Sequence, residues 1–198
     1  MMSTLIAADQ PKKTPPVVAK LAPLTGEIVI NEPLTALPLK PWMVTKNRWS
    51  AKDGGVWGAQ KKGVPQGAAL RAPLGFADGT VQYEVQFKNT GRHSLRVECG
   101  ERKQSFRIEI SRTQLGIIKN PDLGEAKDQI EPLARKPLKL EANRWYPVRI
   151  TFKGNKATAE VNGVTLTGEH ALIGTPKEAM NMLVFGDTAG FRNVTAAK

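Results

Sequence analysis

The chain has 198 residues, with one cysteine and two histidines, and its formal net charge is +11. This length fits one domain with a large core. The scarcity of Cys and His argues against a zinc or haem site. We therefore predict no cofactor, and only an oxygen-ligated calcium ion stays open. The positive excess is spread over all four quarters of the chain, which argues against a specific nucleic-acid site and fits attraction to acidic or sulfated polysaccharides.

The first 26 residues are predicted to be a disordered tail before a β-sandwich domain at 27–198. The opening MMSTLIAADQ ends its short apolar piece in Ala7 and Ala8, as the end of a secretory signal does, and residues 9–25 carry four prolines and three lysines. An ordinary disordered N-terminus explains these residues equally well. No apolar run is long enough to span a membrane. We therefore expect an exported protein, either periplasmic or extracellular.

From residue 27 onward, apolar and polar residues alternate with the period of half-buried strands. The clearest alternation lies at 80–87, and it recurs at 94–99, 105–110, 146–152 and 157–161. Further runs, which bring the number of short strands to about twelve, lie at 28–30, 56–60, 68–72, 114–118, 164–167, 181–185 and 191–195. Turn signals such as Asn162-Gly163 separate these strands. The pattern predicts an all-β fold of two packed antiparallel sheets.

Residues 120–138 interrupt this alternation, because they are polar and contain three prolines. We predict a long surface loop that borders a ligand site, with a turn or two of helix within 124–130. In the predicted strand at 94–99, Cys99 falls on the apolar phase and is predicted to be a buried, unreactive thiol.

Several segments share the pattern of one known family. They read KDGGVWGA, ALRAP, ADGTVQYEVQF, HSLRVE, FRIEIS, RWYPVRITFKGNKATAEVNG and FRNV. Together they resemble the 3-keto-disaccharide hydrolase domain family over roughly residues 42–195, most specifically at 145–163. The resemblance implies a two-sheet antiparallel jelly-roll sandwich of the concanavalin A-like type, and a module that binds or processes glycans. The 145–163 pattern also occurs in laminin-G-like and lectin-like domains, so the fold transfers better than the activity.

The family's reactive positions are only partly present. Its N-S-G-x-x-x-R strand and the following G-Y-E-x-Q-like strand correspond here to RHSLR and FRIEI, which keep Arg96 and Glu109 as equivalents. The E-x-D-x-x-E strand of sandwich-fold glucanases is missing from the sequence. The resemblance therefore implies Glu109 as the candidate catalytic residue but favours binding over catalysis. An active 3-keto-glycoside hydrolase, and a laminin-G-like protein-interaction or structural module without sugar binding, stay open as alternatives.

Polar residues on the central strands are the first group of candidates for sugar binding. They are expected to form a charged floor on one sheet and comprise Glu84, Arg96, Glu98, Arg107 and Glu109. The alternative is a solvated face held together by cross-strand ion pairs.

Aromatic residues and histidines are the second group of candidates. Trp57 follows a tight glycine turn and is expected to offer an exposed ring on which a sugar stacks, whereas Trp42 and Trp49 are expected to fill the core and Trp145 to be half buried. His170 lies in a predicted loop. It either contacts a ligand from this loop or is an ordinary polar surface residue. His93 is predicted to be a surface residue as well.

Overall fold

The computed structural model describes residues 21–38, 40–45, 48–89, 91–100 and 104–198. Within this part of the chain, all the regular structure is strand apart from one 3-10 segment, Ala171–Gly174. The strands are β1 (Ile28–Glu32), β2 (Met43–Val44), β3 (Trp49–Lys52), β4 (Gly55–Gly58), β5 (Ala68–Phe76), β6 (Gly79–Phe87), β7 (Arg92–Cys99), β8 (Gln104–Ser111), β9 (Gln114–Lys119), β10 (Glu131–Pro137), β11 (Trp145–Lys153), β12 (Lys156–Val161), β13 (Val164–Glu169), β14 (Lys177–Phe185) and β15 (Ala189–Ala197).

These strands form two antiparallel sheets that pack face to face. The eight-stranded sheet has the order β13-β12-β11-β6-β15-β4-β3, and β1 also pairs with β15. The seven-stranded sheet has the order β10-β9-β8-β7-β14-β5-β2. Consecutive strands such as β5, β6 and β7 alternate between the sheets, so the connections repeatedly cross from one layer to the other. The all-β, two-sheet antiparallel prediction is confirmed.

The core lies between the sheets and is formed by the apolar phase of each strand. In β7, for example, Leu95, Val97 and Cys99 are fully buried, while the residues between them point outward. Cys99 is therefore the buried thiol that the alternation predicts, and burial raises its pKa. The opposing layer contributes β6 residues such as Tyr83 and Phe87. Packing of both apolar phases against each other removes them from water and fixes which face of each strand points outward.

His93 is a core residue, so its prediction as a surface residue is wrong. It begins the inward phase of β7 and is fully buried, with its Nε2 2.8 Å from the Tyr83 hydroxyl oxygen and its Nδ1 3.0 Å from the Leu183 carbonyl oxygen. A carbonyl can only accept, so Nδ1 carries the proton and Nε2 accepts from Tyr83. Burial lowers the pKa of His93 to about 3 and raises that of Tyr83 above its usual value.

The segment at 120–138 departs from its prediction in part. Residues 120–130 form a loop, as expected, but the described backbone there contains turns and no helix, and β10 occupies Glu131–Pro137 as the edge strand beside β9. The two prolines of β10 fit an edge position, because a proline cannot donate to a neighbouring strand. The short strands β2 and β3 were also missed by the alternation, since they are too short to show a period.

The predicted tail falls mostly outside the described residues, which begin at residue 21. Residues 21–26 form no strand, and Arg149 of β11 donates a hydrogen bond to the Ala22 carbonyl oxygen. The division into a tail at 1–26 and a domain at 27–198 stays a prediction, as does the remnant of a secretory signal.

Candidate functional site

The outer surface of the seven-stranded sheet carries a cluster of charged side chains at its centre. Because Leu95 and Ile108 point into the core, their neighbours on β7 and β8 must point outward. We call this surface the arginine face, and it comprises Arg71 of β5, Arg92, Ser94, Arg96 and Glu98 of β7, Arg107 and Glu109 of β8, and Asn181 of β14.

The strand register brings these side chains into two cross-strand rows. In one row, Arg96 lies opposite Arg107 on one side and Asn181 on the other, and Asn181 lies opposite Arg71. In the second row, Ser94 lies opposite Glu109. The sequence predicts correctly that Arg96, Arg107 and Glu109 share one face.

One end of the arginine face is organised around Glu98. Its carboxylate accepts hydrogen bonds from Arg71 at 2.8 Å and from the Asn181 amide at 2.7 Å. Burial alone raises the pKa of Glu98, but these hydrogen bonds and the charges of Arg71 and Arg96 outweigh it, so the pKa lies below the usual value. Glu98 is therefore ionised at neutral pH and committed to its protein partners.

The other end of the face is organised around Arg107 and Glu109. Glu109 lies 3.2 Å from Arg92 and 3.5 Å from Arg107, and Arg107 also donates to the side-chain oxygen of Asn120. Arg96 donates from Nε to the Ser105 hydroxyl at 3.1 Å. Because Glu109 contacts two guanidinium groups, it is an ion-pair partner rather than an isolated acid.

The arginine face has a local excess of positive charge. Burial is the largest cause of the lowered pKa of Arg107; the charges of Arg92 and Arg96 lower it further, against the opposing effect of Glu109. Side-chain exposure is only 17% for Arg71 and 21% for Arg107, so water screens these charges less than it would on an open surface. The geometry therefore favours an anionic partner.

Ser94 has an unsatisfied hydroxyl in the middle of this cluster. The residue is 1% exposed, and its Oγ has no hydrogen-bond partner among the residues that the structure describes. A buried hydroxyl without a partner is uncommon and costs about 1 to 3 kcal/mol. The sequence does not single out Ser94, Arg71 or Asn181, because a polar residue on the outward phase of a strand is common. The strand register shows that Ser94 lies beside Glu109.

Glu84 does not belong to the arginine face, so the prediction that it shares one charged floor with Arg96 is wrong. It points outward from β6, which lies in the eight-stranded sheet, on the opposite side of the sandwich. There it forms an ion pair with Arg192 at 2.6 Å and accepts from Asn193 at 3.1 Å. The physical reason is that β6 and β7, although adjacent in sequence, pair in different sheets.

Trp57 is buried, so the prediction of an exposed ring is wrong. It is 3% exposed and packs against Trp145 at a ring-centroid distance of 5.6 Å, and its indole N–H donates to the Lys52 carbonyl oxygen at 2.8 Å. The ammonium of Lys88 lies 4.8 Å from the ring centroid and covers the ring from the solvent side. Trp145 is half buried, and the buried positions of Trp42 and Trp49 are as predicted.

His170 lies at one end of the sandwich, just before the 3-10 segment. Its Nδ1 accepts the backbone N–H of Leu172 at 3.0 Å, and its side chain lines a cavity together with loop residues such as Asn120 and Asp122. Residues 120–130 of the loop predicted at 120–138 therefore border a cavity. This cavity adjoins the arginine face, because its lining residue Asn120 accepts a hydrogen bond from Arg107.

Neither a metal cluster nor a membrane span is found in the described residues. Within residues 21–38, 40–45, 48–89, 91–100 and 104–198, no group of three or more His, Cys, Asp or Glu side chains is placed to hold a metal ion. Binding of an oxygen-ligated calcium ion therefore stays as open as the sequence leaves it. No helix in the same part of the chain is long and apolar enough to cross a membrane.

Comparison with known proteins shows the fold. No protein-family model and no curated protein matches the sequence. Among solved structures, the chain is similar to a β-glucanase of Bacillus licheniformis, with a TM-score of 0.65 and 14% identity over 88% of this chain and 100% of that one. It is also similar to a carbohydrate-binding module of Bacillus subtilis, with a TM-score of 0.61 and 14% identity over 79% of this chain and 95% of that one. A Bacillus subtilis protein of unknown function with a galectin-like fold gives a TM-score of 0.63 and 12% identity over 87% of this chain and 96% of that one. The chain therefore has the two-sheet antiparallel jelly-roll sandwich fold of these structures, as the family resemblance implies.

Proposed function

We propose that the chain is an exported module that binds a glycan on the arginine face, and that this glycan carries carboxylate or sulfate groups. The observation that carries the proposal is the excess of arginine on this face as defined above, where four guanidinium groups stand against the carboxylates of Glu98 and Glu109. Guanidinium groups bind such anions through paired, charge-assisted hydrogen bonds. The fold shared with a carbohydrate-binding module and a glucanase supports a glycan over other polyanions.

The acceptor of this face is Glu109, which lies opposite the buried Ser94. Glu109 accepts a sugar hydroxyl with the lone pairs that its two arginines leave free. Glu109 and the four arginines are held by strands rather than by a loop, so binding requires little ordering of the protein. The Ser94 hydroxyl lies beneath this surface, and a ligand reaches it only if the side chains above it move.

Binding is favoured over hydrolysis because the carboxylates of this face are far apart. Glycosidases with two catalytic carboxyl groups hold them about 5 to 9.5 Å apart. Here Glu109 lies opposite Ser94, and Glu98 is four residues farther along β7, which places the two backbone positions roughly 13 Å apart along the strand. A mechanism that uses Glu98 and Glu109 as a pair is therefore disfavoured.

The 3-keto-glycoside hydrolase alternative is supported by the common face of Arg96 and Glu109, the two family equivalents. It is tested by incubating the chain with a 3-keto-glucoside and measuring sugar release. Turnover that is lost in Glu109→Gln would support Glu109 as the catalytic residue. Turnover that is unchanged in this variant would remove Glu109 from the mechanism.

Affinity gel electrophoresis with dextran and dextran sulfate tests the binding proposal, because the two polymers differ only in sulfation; alginate and pectate extend the test to carboxylates. We expect retardation by at least one acidic polymer and none by dextran. The double variant Arg96→Gln/Arg107→Gln should weaken retardation at least about tenfold, since it removes two charge-assisted contacts.

The control variant is Lys61→Gln/Lys62→Gln, which removes the same charge from an exposed loop away from the arginine face. It should bind within about twofold of wild type at 0.15 M salt, where exposed charges are screened. Equal losses in both double variants would mean that the net charge of +11 acts nonspecifically. If no acidic or neutral polysaccharide retards the chain, the glycan proposal fails and the protein-interaction alternative gains support.

A further inference from the structure

The cavity beside His170 lies at one end of the sandwich, where the loop at 120–130 meets the 3-10 segment. It has a volume of about 380 Å³, within the range of small-ligand sites. The first residue of β8, the last residue of β9 and the loop at 120–130 form one wall. The residues around the 3-10 segment form the other. The lining residues are Gln104, Lys119, Asn120, Asp122, Glu125, Asp128, His170, Ala171, Leu172 and Thr175.

The loop wall of this cavity is fixed by its own hydrogen bonds. Asp128 accepts from Lys119 Nζ at 2.6 Å and from the Asp122 backbone N–H at 2.7 Å. Asp122 in turn accepts from the Gly124 backbone N–H and from the Gln104 amide, both at 2.7 Å. The hydrogen bond from Gly124 lowers the pKa of Asp122, and that from Lys119 lowers the pKa of Asp128. The wall is thus organised before any ligand enters, which reduces the ordering cost of binding.

The opposite wall carries His170, a hydrogen-bond donor, beside the apolar residue Leu172. His170 Nδ1 accepts the Leu172 N–H, so in the neutral ring the proton is on Nε2, which lies 4.0 Å from a Glu131 carboxylate oxygen, too far for a hydrogen bond. Leu172 is 7% exposed and supplies the apolar surface of the cavity. On the facing wall, the Gln104 amide donates its N–H to Asp122.

The charge of this cavity is opposite to that of the arginine face. Its lining contains Asp122, Glu125 and Asp128 against one lysine, so an anionic ligand is repelled. A neutral ligand with several hydroxyl groups fits, because the carboxylates accept from hydroxyls, His170 donates to one, and the C–H surface of a sugar ring packs on Leu172. We propose that the cavity binds a single neutral sugar unit, independently of the arginine face.

Saturation-transfer NMR of the full chain with glucose, galactose, mannose, N-acetylglucosamine and glucuronate tests this proposal. We expect at least one neutral sugar to bind with a millimolar Kd and glucuronate to give no signal at the same concentrations. Ala171→Trp should abolish binding, because the exposed Ala171 lines the cavity and a large ring there fills it. His170→Ala should weaken binding about fivefold, the effect of one lost neutral hydrogen bond.

The matched control is Arg71→Gln/Arg92→Gln, which should leave the neutral-sugar signal unchanged, because the carboxylates that these two arginines bind, Glu98 and Glu109, do not line the cavity. Thermal melts of each variant separate loss of binding from loss of folding, and Ala171→Trp changes a side chain outside the core. Absence of saturable binding by every neutral sugar, or equal binding in Ala171→Trp and wild type, would overturn the proposal. Failure of the arginine-face experiments would not affect it, since different residues carry the two sites.

Discussion

The buried His93 makes the stability of this protein depend on pH in a way that can be isolated from other groups. In the folded state its imidazole is neutral and fully buried, and its ring lies 4.6 Å from that of Phe191. Burial lowers its pKa to about 3, against an ordinary value of 6.5 in the unfolded chain. Below pH 6.5 the unfolded chain therefore binds a proton that the folded protein does not.

The sign and size of the effect follow from this difference. A group whose pKa is depressed on folding contributes stability above its unfolded pKa, and that contribution is lost as the pH falls from 6.5 toward 3. The loss is a little over 1 kcal/mol per pH unit, so the free energy of unfolding should fall by about 2 kcal/mol between pH 8 and pH 5. Carboxylates with lowered pKa values, such as Glu98, begin to contribute only below this window.

Urea denaturation at several pH values between 8 and 5 measures this loss. His93→Asn replaces the ring with an amide that does not titrate and can still donate to the Leu183 carbonyl; it should be less stable than wild type throughout but should lose less than about 0.5 kcal/mol across the window. His170→Asn removes the other histidine of the chain and should keep the wild-type slope. The same slope in His93→Asn and wild type would refute the assignment to His93.

Three further predictions concern packing and reactivity. Gly190→Ala should lower stability by about 1 to 3 kcal/mol in a denaturant melt, because a Cβ there would lie 2.8 Å from the Trp57 ring; Gly116→Ala, whose Cβ meets no atom closer than 3.8 Å, is the control and should change stability little. Lys177→Met should destabilise by about 2 kcal/mol or more, since the fully buried ammonium donates to three backbone carbonyls that would lose their partner. Cys99 should react with a thiol reagent only at the rate of unfolding, and fast labelling of the folded protein would contradict its burial.

Strand existence could be predicted from the sequence because one sheet face is buried. Where apolar and polar residues alternate, as in Gly79–Phe87 and at 106–111, the burial pattern follows the sequence pattern residue by residue. The sheet to which each strand belongs could not be predicted in the same way. Alternation records which side chains are buried but not which layer holds them, so Glu84 and Arg96 appear equivalent in sequence and lie on opposite faces of the sandwich.

The burial of single residues depended on partners far away in the chain. Trp57 is covered because Gly190, over a hundred residues later, leaves room for its ring, and because Lys88 lies over it. His93 lies on the inward phase of β7, so the alternation of this strand could have indicated its burial. A buried histidine also needs hydrogen-bond partners, and here the Tyr83 hydroxyl and the Leu183 carbonyl come from two other strands. These are tertiary effects, which override local patterns at single positions.

The two outer faces of the sandwich provide an internal comparison that bears on function. Neutral side chains pair across strands on the eight-stranded sheet, where Thr80 lies 3.3 Å from Thr151 and Thr158 lies 3.0 Å from Thr167, oxygen to oxygen. Part of this outer face is thus built from satisfied, uncharged pairs, although Arg149 Nε on the same face also lacks a hydrogen-bond partner among the described residues. The arginine face instead opposes Arg96 with Arg107 and leaves the Ser94 hydroxyl without a partner among the described residues. Like charges opposite each other cost stability, and so does a buried unpaired hydroxyl. The opposed arginines distinguish this face from the other, and an anionic sugar bound beside them would offset their repulsion.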